Sequence, residues 1–281
     1  MLAGVVLVAG GFVFKGIYDF LHPEPVYDTE RPAVPALTRP AVLVFYKTGG
    51  FVHEEAIPAA NAMIEDIARQ RGWSVYATVN GAVNNAEDLA KFDAVIWNNV
   101  SGDVLAPDQR EAFKHWLEGG GGFVGLHGTG GDPRYAWSWF PEQLLKAQFS
   151  GHPLSPQFQT ATMRIEAPQD PIMQGLGERW VREDEWYSFE RSPRAAGVQV
   201  LATLDEKTYD PKMFFYSIRM GDDHPIIWKH CVERGRVFYS ALGHTAATYG
   251  EAQYRAIIER AIAWAAGLEG EGCPAGNAPP P

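Results

Sequence analysis

Histidines in glycine-containing loops are the residues of this sequence best suited to chemistry. Of the eight histidines in the 281-residue chain, five fall in loops or at the ends of predicted strands: His53, His127, His152, His224 and His244. Imidazole changes its charge near neutral pH and is a common metal ligand, so it can transfer protons or bind a cation. We interpret His224 as structural, and His115 and His230 as ordinary surface positions.

His127 is the most informative of these histidines because of its neighbours. It ends an apolar run that begins at Phe123, and it precedes Gly128-Thr-Gly-Gly131. This pattern predicts a sharp turn from a buried strand into a loop. Hydrolases place a nucleophilic side chain at such a turn. An imidazole there is a poor acyl nucleophile, but it can transfer protons or bind a metal. The alternative is a histidine hydrogen-bonded beneath a glycine loop.

An acidic triplet that runs into two aromatics is the second signal. Glu183-Asp184-Glu185 is followed by Trp186 and Tyr187, a composition expected where a sugar ring stacks and donates hydrogen bonds at its rim. The alternative is a solvated turn. We expect His127 and Glu185 to be catalytic, as acid or base. The residues that we expect to bind substrate are His53, Asn98, Trp186, Tyr187 and His244.

The identity of a cofactor is open at this stage. A divalent metal is the one candidate that the residue types suggest, and its predicted ligands are His53, His127, His152 and His244. A second aromatic run, residues 135–140, predicts either another pocket wall or the packed face of a helix.

Several other classes of site are excluded by the sequence. A Cys-x-x-Cys metal site is absent, because the only cysteines are Cys231 and Cys273; nothing in their placing argues for a disulfide. Gly119–Gly122 precedes a strand instead of opening a helix, and Gly128–Gly131 lacks the spacing of a dinucleotide loop. With a net charge of -10 the chain has no basic footprint, so we expect no nucleic-acid partner.

The elements that must position these residues form an α/β fold. Between residues 41 and 127, strand and helix patterns alternate four times, which predicts a parallel sheet flanked by helices. Ligands bind at the carboxyl ends of such strands, here residues 47–53, 98–101 and 127–132. The second half predicts an added antiparallel portion and a closing helix. Its predicted strands are 160–166, 198–204, 214–219, 226–229 and 237–241.

The two ends of the chain have a different composition. Residues 2–14 are all apolar or glycine, and we interpret residues 1–21 as an uncleaved membrane anchor, with a signal peptide or a docked apolar helix as alternatives. Residues 22–39 contain four prolines and predict an extended linker. The domain is predicted over 40–268 and a disordered tail over 269–281. An anchored domain on the periplasmic or extracytoplasmic side, with the membrane as a partner, is the expected arrangement.

Six motifs, in order along residues 42–266, resemble the ThuA-like (trehalose utilisation) family. They are Phe51-Val-His53, Gly121-Gly-Phe-Val-Gly-Leu-His127, Gly151-His-Pro153, Asp184-Glu-Trp-Tyr187, His224-Pro-Ile-Ile-Trp228 and Gly235-Arg-Val-Phe-Tyr-Ser-Ala-Leu-Gly-His244. The resemblance implies a class I glutamine-amidotransferase-like fold. It also implies a role in the use of trehalose and related disaccharides, in which a dehydrogenase first oxidises the sugar to a 3-keto derivative. Because His127 stands where true amidotransferases carry cysteine, we expect no glutaminase activity.

Two functions are consistent with these observations. One is an enzyme that acts on a small-molecule carbohydrate, a glycoside or 3-keto-glycoside, as a hydrolase or lyase using His and Glu acid–base chemistry. The other is a non-catalytic, membrane-tethered domain for sugar binding or scaffolding. Ring nitrogens within a few ångströms of one another would favour the enzyme, which is the reading we prefer.

Overall fold

A computed structural model describes residues 25–273 of the chain. The predicted anchor or signal segment, and the tail beyond Cys273, lie outside these residues. Within residues 25–273, no helix has the length and apolar character needed to cross a membrane.

The first half of the chain builds the parallel part of one large sheet. Its strands are β1 (Ala41–Phe45), β2 (Ser74–Thr78), β3 (Ala94–Asn98) and β4 (Gly122–Leu126). Strands β1, β3 and β4 are buried along their whole length, as expected for parallel strands covered on both faces. The prediction of a mainly parallel sheet is confirmed, and its carboxyl edge carries the predicted loops.

The second half extends this sheet with antiparallel strands. The longer ones are β6 (Phe158–Ile165), β7 (Arg179–Glu185), β9 (Gln199–Leu204), β12 (Pro225–Val232) and β13 (Gly235–Ser240). Within the described residues the sheet has nine strands in the order β2-β1-β3-β4-β13-β12-β9-β6-β7. Strand β13 lies parallel to β4, and the strands from β12 onward alternate in direction. Two short pairs stand apart: β5 (Phe149–Gly151) with β8 (Ser188–Phe189), and β10 (Lys212–Met213) with β11 (Tyr216–Ser217).

Helices cover both faces of the sheet. They are α1 (Ala56–Arg71), α2 (Ala86–Leu89), α3 (Pro107–Glu118), α4 (Ala246–Gly250) and α5 (Ala252–Ala265). Trp97 of β3 packs its ring 5.5 Å from Phe113 of α3, whereas the next residue, Asn98, donates a hydrogen bond to Ile57 of α1. Successive strand residues point to opposite faces, so α1 and α3 lie on opposite sides of β3.

Four local predictions differ from the structure. The predicted strand 214–219 is instead the exposed hairpin β10–β11, because its aromatics find no sheet to pack against; Phe215 is 99% exposed. Strand β7 was not predicted, since its acidic end resembles a turn. His230, predicted at the surface, is buried in β12. Cys231 and Cys273 form a disulfide, which attaches residues 269–273 of the predicted tail to the sheet.

The predicted linker also differs from a free spacer. Residues 25–39 have no regular secondary structure but lie against the domain. Arg31 forms ion pairs with Glu87 at 2.8 Å and Asp88 at 3.0 Å. The Tyr27 hydroxyl donates to Asp103 at 2.9 Å. These polar contacts hold residues 27–31 beside α2 and the loop that follows β3.

Candidate active site

Three histidines and one carboxylate meet at the carboxyl edge of the parallel strands. His53 follows β1, His127 follows β4, His244 follows β13, and Glu185 ends β7. Each offers a ligand atom, and these four atoms lie within 4.8 Å of one another. We call these four residues the His/Glu cluster. His53, His127 and His244 therefore lie together, as expected from their places after the strands, and Glu185 lies beside them.

His127 lies at a strained turn of the predicted kind. Its φ of 36° is in the left-handed region, which is unfavourable for a side chain other than glycine and is commonly associated with functional sites. Two polar contacts hold the turn: Tyr239 donates to the His127 carbonyl at 2.8 Å, and Gly128 donates its N–H to Asn99 at 3.0 Å. A side chain at Gly128 would place its Cβ 2.7 Å from the His53 ring, so only glycine fits this turn.

The backbone determines which nitrogen of His127 is free. Its Nδ1 lies 2.7 Å from the carbonyl oxygen of Ala241, and because a carbonyl only accepts, Nδ1 carries the proton. In the neutral ring, the lone pair of Nε2 then faces the cluster. Nε2 lies 3.3 Å from His244 Nδ1 and 3.4 Å from Glu185 Oε2. A nitrogen lone pair and a buried carboxylate repel each other, so a positive charge between them, either a proton or a metal ion, would stabilise the site.

Glu185 uses both of its carboxylate oxygens. Oε2 faces the cluster and accepts from His244 Nδ1 at 2.9 Å. Oε1 points the other way, accepts from Gln157 at 2.5 Å, and lies 3.0 Å from His152 Nδ1, whose hydrogen-bond partner is the Pro153 carbonyl. Burial opposes ionisation of Glu185, but the neighbouring His127 and His244 outweigh burial and hold its pKa well below the usual value. Glu185 therefore supplies one fixed negative charge.

His53 is an uncharged ring with a free nitrogen. It is 5% exposed, and its Nδ1 has no hydrogen-bond partner among the described residues. Burial, reinforced by the neighbouring His127 and His244, lowers the pKa of His53 to about 2. A buried imidazole nitrogen without a partner costs free energy unless something binds it. A metal ion would satisfy it.

The geometry of the cluster fits a divalent cation. A tetrahedral ion with metal–nitrogen distances near 2.1 Å separates its ligand atoms by about 3.4 Å. Three of the separations here are 2.9, 3.3 and 3.4 Å, and all lie within 4.8 Å, so small movements of the side chains would complete the shell. Three neutral imidazoles and one carboxylate form a ligand set with one negative charge. The hydrogen bond from His127 Nδ1 to the Ala241 carbonyl is typical of the outer contacts that orient a metal-binding histidine.

Asp184, which we had not predicted as a site residue, positions His244. Its carboxylate accepts from the backbone N–H groups of Gly243 at 3.0 Å and of His244 at 3.2 Å. It also pairs with the buried Arg182 at 3.0 Å. The turn that carries His244 is thereby fixed to the end of β7. The alternation of buried Trp180, Arg182 and Asp184 along β7 is the sequence signal that would have revealed it.

Four predicted site residues have other positions. His152 lies outside the cluster, on the far oxygen of Glu185. Asn98 is fully buried and bonds to the backbone and side chains of α1, so it supports the site from beneath. Trp186 is fully buried and donates to Gln159. Tyr187 is also buried, but its ring stacks on His127 at 4.3 Å and forms a wall of the cluster.

His224 is structural, as predicted. It is fully buried, with Nδ1 2.8 Å from Glu206 and Nε2 2.8 Å from the carbonyl of Tyr187. It therefore holds the segment that follows β7 in place.

The protein is an α/β protein whose parallel sheet is extended by antiparallel strands. Its polar site lies at the carboxyl edge of the sheet, around a strained strand-to-loop turn. The chain matches the model of the family described as "ThuA: Trehalose utilisation" over residues 41–265. It therefore belongs to this family, and membership points to a carbohydrate-related role.

Solved structures agree with this assignment at the level of the fold. A putative ThuA-like protein from Bacteroides uniformis superposes with a TM-score of 0.69 at 22% identity, over 85% of this chain and 95% of that chain. A putative ThuA-like protein from Parabacteroides merdae gives 0.60 at 17% identity, over 80% and 89%. A search of curated proteins gave no match.

Proposed function

We propose that this protein is an enzyme that processes glycosides or 3-keto-glycosides with a divalent cation bound at the His/Glu cluster. The observation that carries the proposal is the approach of four ligand atoms to within 4.8 Å of one another in a buried site. Family membership supplies the substrate class. The alternative, a non-catalytic sugar-binding domain, gives no reason to bury an orphaned imidazole beside a carboxylate.

The ketone of a 3-keto-glycoside suits such a centre. A divalent cation held by His53, His127, His244 and Glu185 would supply Lewis acidity to the ketone oxygen, which would make the proton on C2 easier to remove. The C1–O bond then breaks, the leaving oxygen takes up a proton, and water adds across C1 and C2. The sum of these steps is hydrolysis. Removal of the C2 proton needs a base, and departure of the sugar oxygen needs an acid.

The structure suggests a division of these roles. With a cation bound, His53, His127, His244 and Glu185 would be its ligands, and His127 and Glu185 would then be occupied as ligands rather than as acid and base. His152 is the better proton carrier, because it is 24% exposed and touches Glu185 at 3.0 Å. If no cation binds, the positive charge between His127 and Glu185 is a proton, and this pair is the acid and base.

Product analysis tests the proposed activity. The full-length chain is incubated with a 3-keto-disaccharide and its unoxidised parent, with and without added Zn²⁺, Mn²⁺ or Ni²⁺. We expect cleavage of the keto sugar, abolished in His127→Ala and preserved in His115→Ala, whose histidine is exposed. Failure of the folded, metal-supplied protein to turn over either sugar would overturn the proposal for these substrates and favour binding alone.

We also propose that the domain works outside the cytoplasm, attached to the membrane by the N-terminal segment. The apolar run of residues 2–14 supports export, and the Cys231–Cys273 disulfide supports an oxidising compartment. Alkylation of cells with a membrane-permeant thiol reagent checks this: cysteines that react only after reduction agree with export. Free thiols in the native protein, or its recovery in the soluble cytoplasmic fraction, would contradict it.

A further inference from the structure

A cavity of about 940 Å³ lies beside the His/Glu cluster. The loops that follow β1, β3 and β4 line it, through residues 49–51, 100–105 and 129–137. Strands β1 and β3 are neighbours in the sheet, while β2 lies on the far side of β1. The chain order therefore reverses between β1 and β3. Open α/β sheets bind their ligands at this reversal, and the volume is typical of a small-molecule site.

The floor of this cavity is a close crossing of two loops. Gly49 donates its N–H to Ser101 at 2.7 Å. Gly102 has a φ of +71°, and a Cβ on it would lie 2.5 Å from the backbone of Gly49. The crossing therefore needs glycine at position 102. Asp132 accepts the N–H of Gly102 at 2.6 Å, which ties the loop after β4 to the same floor.

The walls have the chemistry of a sugar site. Five aromatic side chains line the cavity: Phe51, Trp97, Tyr135, Trp137 and Phe140. Trp97 is 5% exposed, and its indole N–H has no partner among the described residues. A pyranose ring presents apolar C–H faces to aromatic rings and hydroxyls to donors and acceptors. The predicted pocket wall over residues 135–140 is thus present, in the loop after β4.

The cavity lining has no net charge, because the carboxylates of Asp103 and Asp132 are matched in number by the guanidinium groups of Arg110 and Arg134. Asp103 and Arg110 form an ion pair with each other, and Tyr27 donates to the same aspartate. The carboxylate of Asp132 has no cationic partner among the described residues. An anionic sugar phosphate would meet this carboxylate, whereas a neutral sugar can donate hydroxyl hydrogen bonds to it.

Phe51 connects the cavity to the cluster. It lines the cavity, and its ring centroid lies 4.8 Å from that of His53 and 6.2 Å from that of His244. Thr129, two residues after His127, also lines the cavity. A ligand that reaches from the cavity to the cluster must pass Phe51, which is 64% exposed.

We propose that this cavity binds the neutral leaving-group ring of a disaccharide whose other ring lies at the His/Glu cluster. The inference rests on the proposed function for the position of the reacting ring. Asp132 supplies a polar contact, and Trp137 supplies a stacking face. The substrate class is accordingly an uncharged disaccharide, which a lining without net charge favours over a sugar phosphate.

Titration calorimetry on the full-length chain tests the inference, with trehalose, methyl α-glucoside and glucose 6-phosphate as probes. We expect trehalose to bind and glucose 6-phosphate to bind at least tenfold more weakly. Asp132→Asn keeps an oxygen for Gly102 and should weaken trehalose about tenfold, the loss of one charge-assisted hydrogen bond. Trp137→Ala should weaken it about fivefold. Phe215→Ala, an exposed aromatic far out on the β10–β11 hairpin, is the control and should bind normally.

A second variant separates this inference from the proposed function. His53→Ala breaks the cluster but does not line the cavity, and we expect it to lose turnover but to bind methyl α-glucoside, a single ring for the cavity, within threefold of wild type. Wild-type affinity in both Asp132→Asn and Trp137→Ala, or preferred binding of glucose 6-phosphate, would overturn the inference whether or not the chain is an enzyme. Sugar binding without any turnover would instead contradict the proposed function alone.

Discussion

Replacing Asp132 by asparagine should stabilise the protein in a pH-dependent way. Burial raises the pKa of Asp132 from 3.8 to about 6, and the hydrogen bond from Gly102 offsets only part of this. The ionised carboxylate is therefore less favourable in the folded state than in the unfolded state. One pKa unit corresponds to about 1.4 kcal/mol, which gives an upper bound of about 3 kcal/mol. We expect about 2 kcal/mol, because the side chain keeps some contact with water.

The direction of the change in the free energy of unfolding with pH follows from the raised pKa of Asp132 in the folded state. The wild type has its full stability well below pH 3.8, where the carboxyl group is protonated in both states, and loses part of it as pH rises through 6. Asparagine does not titrate. The free energy of unfolding of Asp132→Asn should thus be within about 0.6 kcal/mol of that of wild type at pH 4 and exceed it by about 2 kcal/mol at pH 7.5.

Urea unfolding followed by tryptophan fluorescence at pH 4, 5, 6 and 7.5 measures this difference. Glu142→Gln is the control, because Glu142 is exposed, and its difference from wild type should stay flat. A difference for Asp132→Asn that does not change with pH, or a variant less stable than wild type at pH 7.5, would refute the argument that Asp132 is held desolvated at the cavity.

Three further predictions concern the framework of the site. Asp184→Ala should lower the free energy of unfolding by about 3 kcal/mol, because it leaves buried Arg182 with only the partly exposed Glu251 and removes the acceptor of two buried N–H groups; a loss below 1 kcal/mol in urea unfolding would contradict this. Gly128→Ala should abolish turnover while the chain stays folded by circular dichroism, since its Cβ would overlap His53; normal activity would show that the turn can adjust. Cys273→Ser should cost about 3 kcal/mol, because the disulfide closes a 42-residue separation; unchanged thermal unfolding would show that the bond contributes nothing.

The fold and the position of three of the four cluster residues could be predicted because they follow from periodic patterns. Buried apolar runs alternating with amphipathic helices require a parallel sheet, and its carboxyl edge collects the residues after each strand. For this reason the sequence alone predicts that His53 and His127 lie close together. His244 followed from the same reasoning, once the strand before it was assumed to be central.

The remaining part of the site depends on contacts that local sequence does not encode. Glu185 comes from β7, an edge strand whose approach to His127 depends on the whole antiparallel half. Trp186 was expected to stack on sugar but is fully buried, which is the commoner fate of a large aromatic in a well-packed domain. Asp132 stood in a predicted loop with no signal for its desolvation, because that depends on Gly102, thirty residues away in the chain.

Metal stoichiometry tests the central claim most directly. The full-length chain is stripped with chelator, dialysed separately against Zn²⁺, Mn²⁺ and Ni²⁺, and assayed by inductively coupled plasma mass spectrometry. His53→Ala and Glu185→Gln are assayed beside it, with His115→Ala as control. We predict about one tightly held ion per chain in wild type and control, and a loss of at least tenfold in affinity in both cluster variants. Wild-type protein that retains no ion, or cluster variants that retain a full equivalent, would contradict the assignment of a metal centre to His53, His127, His244 and Glu185.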